Sequence, residues 1–454
     1  MPKQPQTSLP GAWISELFRS AAREISERRV GIEVERIGLW LDGTSWSYSD
    51  KANAKGKKLP GAKQLLQNLS KQNGWSLITS EKNCPLGLNT PKGKVSLEPG
   101  SQVEFSSEPM KNIFEIQDAV DDFEKKAAAA IECKELSWVT LGVNPLSTME
   151  DIELIPSTRY RIMTDYLGKR ARLGTSMMRR TSSVQINLDY TTEDEAICML
   201  RTSLAAAPIS YALFANSPFL EGKETGYLSY RYAIWQETDP DRSGLLPEAF
   251  SEGFNFDAYA ESLWRRPLMF AQNKKNLFIP ANGISLEAIS QGKLENAPLS
   301  ENNQWNGIRE LFTEARLKPG YVEIRSVDGE TAEDRYASTA FWLGLLYDKS
   351  ARELAMKLLG KISTNDREKL LEESARKGLR AEYAGIQLKN VTEQLLEAAD
   401  DSLKGRKFGE EKFLAPLWQN VKEGVTPAEK VLKNYHGSWN KNILKVIEHC
   451  RQAL

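Results

Sequence analysis

Histidine is nearly missing from this chain: His436 and His449 are the only two in 454 residues. A Ser-His-Asp or Cys-His unit would have to use one of them, and neither sits in a recognisable motif. Cysteine is scarce too. Cys84, Cys133, Cys198 and Cys450 are scattered without paired spacing, which excludes a zinc cluster or a disulfide framework as the organising device. No Gly-x-x-x-x-Gly-Lys-Ser/Thr loop and no Gly-x-Gly-x-x-Gly after a strand occurs, so any nucleotide is held by another route. Charge of one sign is also lacking. Sixty Lys and Arg against 61 Asp and Glu leave a net charge of −1, which argues against a nucleic-acid partner held by a broad basic face. The apolar runs fall short of the roughly 20 residues of a membrane span. Met1-Pro2-Lys3-Gln4-Pro5 carries no apolar signal core and predicts a short loose tail on a cytoplasmic protein.

What the chain does have is an unusual kind of strand, four times over. In Ser96–Ser107, Glu98, Gln102 and Glu104 share one parity while Val103 and Phe105 take the other, with a Pro99-Gly100 turn between the acids. In Gly31–Arg36, Glu33 and Glu35 alternate with Ile32 and Val34. In Tyr321–Arg325, Glu323 and Arg325 alternate with Val322 and Ile324. In Ser183–Asp189, Gln185 and Asn187 alternate with Val184, Ile186 and Leu188. The apolar halves read as strands packed on a core. The polar halves are acids, amides and one arginine instead of the lysine and threonine of a wet face. One such strand reads equally as an edge strand with a solvated face. Four together predict a common pool of carboxylates. Five of these brought together would repel and raise one another's pKa, a conflict that divalent cations remove, and hard oxygen ligands suit magnesium.

Around these strands the pattern predicts helices over Leu9–Arg29, Leu65–Gln72, Asn112–Glu132 and Glu193–Ala215, and a lysine-rich solvated insertion at Asp50–Lys58. Glu221–Asp241, dense in aromatics, arginines and aspartates, predicts a long loop forming a substrate wall. From Ala332 onward helical patterns dominate, with a capping box at Thr426-Pro427-Ala428-Glu429. The expected fold is α+β: an antiparallel sheet with one face open as a basin, helices on the outer face and a helical C-terminal region. Residues 1–20 form a tail and the start of the first helix, 21–340 the catalytic core, and 341–454 the helical region packed on it.

At these residues the sequence resembles glutamate–cysteine ligases of the plant and proteobacterial type. The blocks that carry the resemblance include Gly31–Glu35, Ser96–Gln102, Arg159-Tyr160-Arg161-Ile162-Met163, Met177–Thr181 with Val184–Asp189, Phe214–Lys223, Thr238–Gly244 and Glu323-Ile324-Arg325. The resemblance implies a glutamine-synthetase-like fold, ATP as co-substrate and two or three Mg2+ ions. It implies that Glu33, Glu35, Glu98, Glu104 and Glu323 ligate magnesium, and that Arg159 and Arg231 hold substrate carboxylates. Arg325 would stand by the transferring phosphate with Glu323, while Gln185 and Asn187 line the basin floor. The implied reaction joins glutamate to cysteine through a γ-glutamyl phosphate. A related ligase with another amine acceptor is the alternative, and a non-catalytic sensor of glutamate or nucleotide is a further one. The implied partners are small molecules, with neither nucleic acid nor membrane, and the chain would be a monomer or homodimer. The chain departs from the family at Ser182, where a cysteine is frequent, and around Lys318–Tyr321 and Ser326–Gly329.

Overall fold

The structure, a computed structural model, describes residues 11–52, 58–80, 82–131 and 133–453. The expected tail at residues 1–5 and most of the lysine-rich insertion lie outside the described residues. A ten-stranded sheet dominates. Its strands are β1 (Val30–Trp40), β2 (Ser76–Thr79), β3 (Pro85–Thr90), β4 (Gly93–Leu97), β5 (Val103–Ser107), β6 (Leu136–Val139), β7 (Ser183–Asp189), β8 (Ala315–Lys318), β9 (Tyr321–Asp328) and β10 (Arg451–Ala453). Their order is β8-β9-β7-β1-β5-β4-β3-β2, and every pairing is antiparallel. β1 is the spine. Its first half lies between β7 and β5, and its second half pairs with β6, which in turn takes β10 from the far end of the chain.

The alternation in sequence becomes two chemically different faces. Ile32, Val34, Phe105, Val184, Ile186, Val322 and Ile324 are all buried beneath the helices. Each such side chain contributes about 1.5–3 kcal/mol relative to leaving it in water. Phe105 stacks on Phe123 of the helix Ile113–Ile131 at 4.9 Å between ring centroids. The helices Glu193–Phe214 and Ala332–Tyr347 cover β9 and β7. Glu193–Phe214 is long and apolar enough to cross a membrane, but 89% of its apolar window is buried inside the protein, as in a core helix. It begins where Thr192 accepts from the Glu195 N–H and three acids fill the first turn.

Arg36 is the charged residue of β1 that points to the helical side, and it meets Glu124 at 2.8 Å. Glu124 also accepts from Arg335 and from Gln452 on β10. The first helix is shorter than its pattern, covering Ala12–Ser20, with a 3-10 turn at Ile25–Glu27. The long loop expected at Glu221–Asp241 contains the helix Tyr230–Gln236, capped by Ser229. The helical C-terminal region and the capping box at Thr426 are present as expected, and the helix Ala332–Tyr347 runs across position 340.

Candidate active site

The register of the sheet assembles the polar face. Glu35 stands opposite Glu104, Glu33 opposite Gln185, Asn187 opposite Glu323, and Glu323 opposite Arg316. Directly opposed side chains of antiparallel strands lie on one face, so five strands contribute to a single surface. A register shift in β9 between Ile324 and Val327 leaves Arg325 out of the ladder to β7, and its N–H donates instead to the Glu314 carbonyl at 2.9 Å.

Glu98 comes from the turn between β4 and β5. Its N–H donates to the Gln102 carbonyl (2.8 Å), and Ser101 takes a left-handed φ of 69° to close the turn. The turn presses on the helix Gly174–Arg180: a Cβ on Gly100 would lie 2.4 Å from the Arg179 carbonyl oxygen, so only glycine fits. The Gln102 side chain fastens it, accepting from the Gly100 N–H and donating to the Thr181 carbonyl.

Between the sheet and the helices above it lies a cavity of about 250 Å3. Glu33, Glu35, Glu98 and Glu104 line it together with Arg159, Arg309, Arg316, Lys318 and Arg325. Met163, Met177, Met178, Trp235 and Phe312 supply an apolar wall. Three of the acids meet neutral donors. Asn187 donates to Glu33, Ser183 and Gln185 to Glu35, and Ser96 and Ser106 to Glu104, at 2.9–3.3 Å. Among the described residues none of the four forms an ion pair. Their carboxyls respond accordingly. Burial, with Glu323 and Glu104 nearby, pushes Glu33 up to about 7. Burial and the charges of Glu104 and Glu35 raise Glu98 well above the usual carboxylate range, and burial raises Glu35 and Glu104.

Glu323 differs. Burial would lift it too, but Arg316 at 2.6 Å, Lys318 at 3.4 Å and Arg325 at 2.5 Å hold its carboxyl far below the usual range. Neither Glu323 nor Asn187 is among the residues that line the cavity. Arg231 is buried beneath Trp235 and donates to the Arg325 carbonyl at 2.8 Å, so it supports that arginine from behind. Gln185, on the wall, accepts from Arg325 at 2.5 Å. Arg159 lies over the Tyr160 ring at the cavity's other side.

The sequence reading overlooked Arg309, Arg316 and Lys318. β8 has the same alternation, Arg316 and Lys318 against Ala315 and Leu317, but four residues are too few to stand out. Asp239, inside the segment expected as substrate wall, and Arg242 just beyond it face inward. They are buried partners: Arg242 binds Asp239 at 2.7 Å and Glu310 at 3.2 Å, while Glu310 accepts from the Met269 N–H at 2.6 Å.

With this geometry in view, comparison with known proteins is specific. The profile of Glutamate-cysteine ligase family 2 (GCS2) matches residues 29–449. The chloroplastic glutamate–cysteine ligase of Medicago truncatula is 34% identical over 95% of this chain and 83% of its own length. That of Arabidopsis thaliana is 35% identical over 94% and 80%. Among solved structures, the glutamate–cysteine ligase of Francisella tularensis in complex with AMP matches with a TM-score of 0.57 at 12% identity, covering 93% of this chain and 88% of that one. That likeness shows the glutamine-synthetase-like fold. The cytoplasmic location expected from the first residues is overturned: the plant relatives are chloroplastic proteins. A match over nearly the whole chain, on the strands that carry the acids, shows that this protein belongs to glutamate-cysteine ligase family 2.

Proposed function

We propose that this chain joins the γ-carboxylate of glutamate to the amine of cysteine at the expense of ATP, giving γ-glutamylcysteine, the first intermediate of glutathione synthesis. The observation that carries the reading is the four carboxylates, none of them in an ion pair among the described residues, that share one cavity with five cations. Residues 21–340 are the catalytic core in this reading, and 341–454 a helical layer on it.

A divalent cation fits the acids. Beyond the four carboxylates, Oδ1 of Asn187 is buried without a hydrogen-bond partner, and Oε2 of Glu323 meets only the Lys318 ammonium, at 3.4 Å. We assign Glu33, Glu35, Glu98, Glu104 and Glu323 to magnesium. No three of these side chains meet at one point among the described residues, so each ion would complete its shell with phosphate oxygens and water, as Mg2+ commonly does. When bound, magnesium supplies charge neutralisation and Lewis-acid polarisation of the phosphates.

The chain's own groups divide the remaining work. Arg316, Lys318 and Arg325, aligned by Glu323, face the transferring phosphate; Arg231 and Gln185 fix Arg325. Arg159 and Arg309 suit a substrate carboxylate, which a guanidinium fork bonds through both oxygens. A glutamate γ-carboxylate oxygen attacks the γ-phosphorus of ATP and ADP leaves. The cysteine amine then adds to the acyl carbon, the C–O bond breaks, and phosphate departs as the amine loses its proton. The enclosed cavity keeps water from the acyl phosphate. Methionines and Trp235 suit a thiol side chain through soft sulfur contacts. An adjoining cavity of about 270 Å3 shares Arg159 and Tyr160 with the first and is walled by Ile78, Leu86, Leu97 and Phe278, which suits an adenine ring.

The test is ADP release by purified protein with ATP, Mg2+ and glutamate, with cysteine or a panel of other amines. Cysteine-dependent release that chelator abolishes is expected. Preference for another amine would overturn the acceptor, and indifference to chelator the whole reading.

A further inference from the structure

A larger cavity lies away from the acids. It is a cleft of about 900 Å3 between the turn at Ile25–Arg29 and the helices Lys349–Leu359 and Leu388–Arg406. Arg28, Arg29, Lys111 and Arg406 line it, with the Tyr347 ring among them. The guanidiniums of Arg28 and Arg406 flank that ring at 4.9 and 5.6 Å from its centroid. Two of those cations are already engaged, Arg28 by Glu195 and Arg406 by Glu410 at 2.7 Å. Among the described residues, Arg29 and Lys111 have no carboxylate within ion-pair distance. The acids on the wall are Asp348 and Asp401. Asp348 is occupied in accepting from the Ala351 N–H, and Asp401 stands 3.9 Å from Lys404. Among the described residues, Arg29 and Lys111 are thus the two cations of the cleft without an ion pair, and they face two wall acids. The cleft also exposes two large apolar side chains, Ile25 at 72% and Phe408 at 48%. Surface apolar groups beside unpaired cations are a poor arrangement for water alone and a good one for an anion with an apolar body.

We infer that this cleft is a second ligand site, for a phosphate-bearing small molecule with a planar or apolar moiety. Arg29 and Lys111 take the phosphate, and Tyr347 and Phe408 take the flat body, by stacking. Its volume accommodates a mononucleotide. Position gives the site reach. The Tyr347 hydroxyl donates to the Arg29 carbonyl, and Arg29 directly precedes β1, the strand that carries Glu33 and Glu35. A ligand here would touch the root of the catalytic strand from the side opposite the acids.

The test uses the full chain titrated calorimetrically with AMP, and separately with inorganic phosphate, without divalent cation. The Arg29→Ala/Lys111→Ala double variant, the exposed Lys111→Ala alone, and a basin variant, Arg159→Ala, are compared with the parent. AMP is expected to bind the parent, the double variant to weaken it roughly tenfold or more, and Arg159→Ala to leave that event in place. Inorganic phosphate should bind more weakly at the same residues. Hydrogen exchange at residues 25–30 and 402–408 should slow when AMP is bound. Absence of AMP binding, or binding that Arg159→Ala removes and the Lys111 variants leave intact, would overturn the site. The ligation reading would stand in either case.

Discussion

Two buried charge clusters in this protein are built from the same residue types to opposite ends. On the helical side of the sheet, Glu124 receives Arg36, Arg335 and Gln452. Burial still lifts its carboxyl, yet two guanidiniums and an amide hold it. On the open side, Glu33, Glu35 and Glu104 receive only hydroxyls and amides, and Glu98 beside them has no ion pair among the described residues. Completeness of pairing separates them. A closed cluster fixes elements in place; an open one stores unmet electrostatic demand that a cation and a triphosphate can satisfy.

Four measurements sharpen this contrast, from the largest expected effect to the smallest. Glu98→Gln should lower kcat for ADP release by about 10^3-fold or more, since it removes a group aimed at the reacting charge, while circular dichroism and unfolding stay native. Near-normal turnover would remove Glu98 from the machinery. Arg335→Met should do the reverse. It strands Glu124 without one partner and should cost roughly 3–5 kcal/mol in urea unfolding, with turnover per folded molecule little changed.

The third measurement is thermal unfolding against pH without metal. The folded Glu33 carboxyl titrates near 7, above its ordinary 4.5, so between these values the native state binds the extra proton. Stability must therefore fall as pH rises through that window, and stop falling above it. Glu33→Gln should flatten the slope, and added Mg2+ should restore Tm at pH 8. A Tm that rises through the window would contradict the open-cluster account. Last, Lys349→Ala removes an exposed pair with Glu353 at 3.8 Å and should leave both Tm and turnover unchanged.

Much of the basin was legible because acids alternating with β-branched residues leave a pattern that survives without coordinates. Glu33, Glu35, Glu104, Gln185, Asn187, Glu323 and Arg325 all fall on the face that their parity predicted. What escaped was whatever depends on distant pairing. Arg36 sits in the same acidic strand, yet its partner is 88 residues away on a helix. Asp239 and Arg242 look like exposed chemistry in a line of text, and only the position of Glu310 turns them into a buried brace. The helix Tyr230–Gln236 hid because seven residues rich in aromatics show no readable period. Arg231, which the resemblance implies as a carboxylate holder, falls on it and donates to the Arg325 carbonyl.

The strand β10 has a bearing on folding. Residues 451–453 pair with β6, and Gln452 reaches Glu124 from 328 residues away in sequence, so the sheet beside the catalytic strand is completed by a long-range contact. Until that segment docks, β6 presents an unsatisfied edge and Glu124 lacks an amide donor. Loss of this pairing should thus leave a sheet edge open to association with other chains.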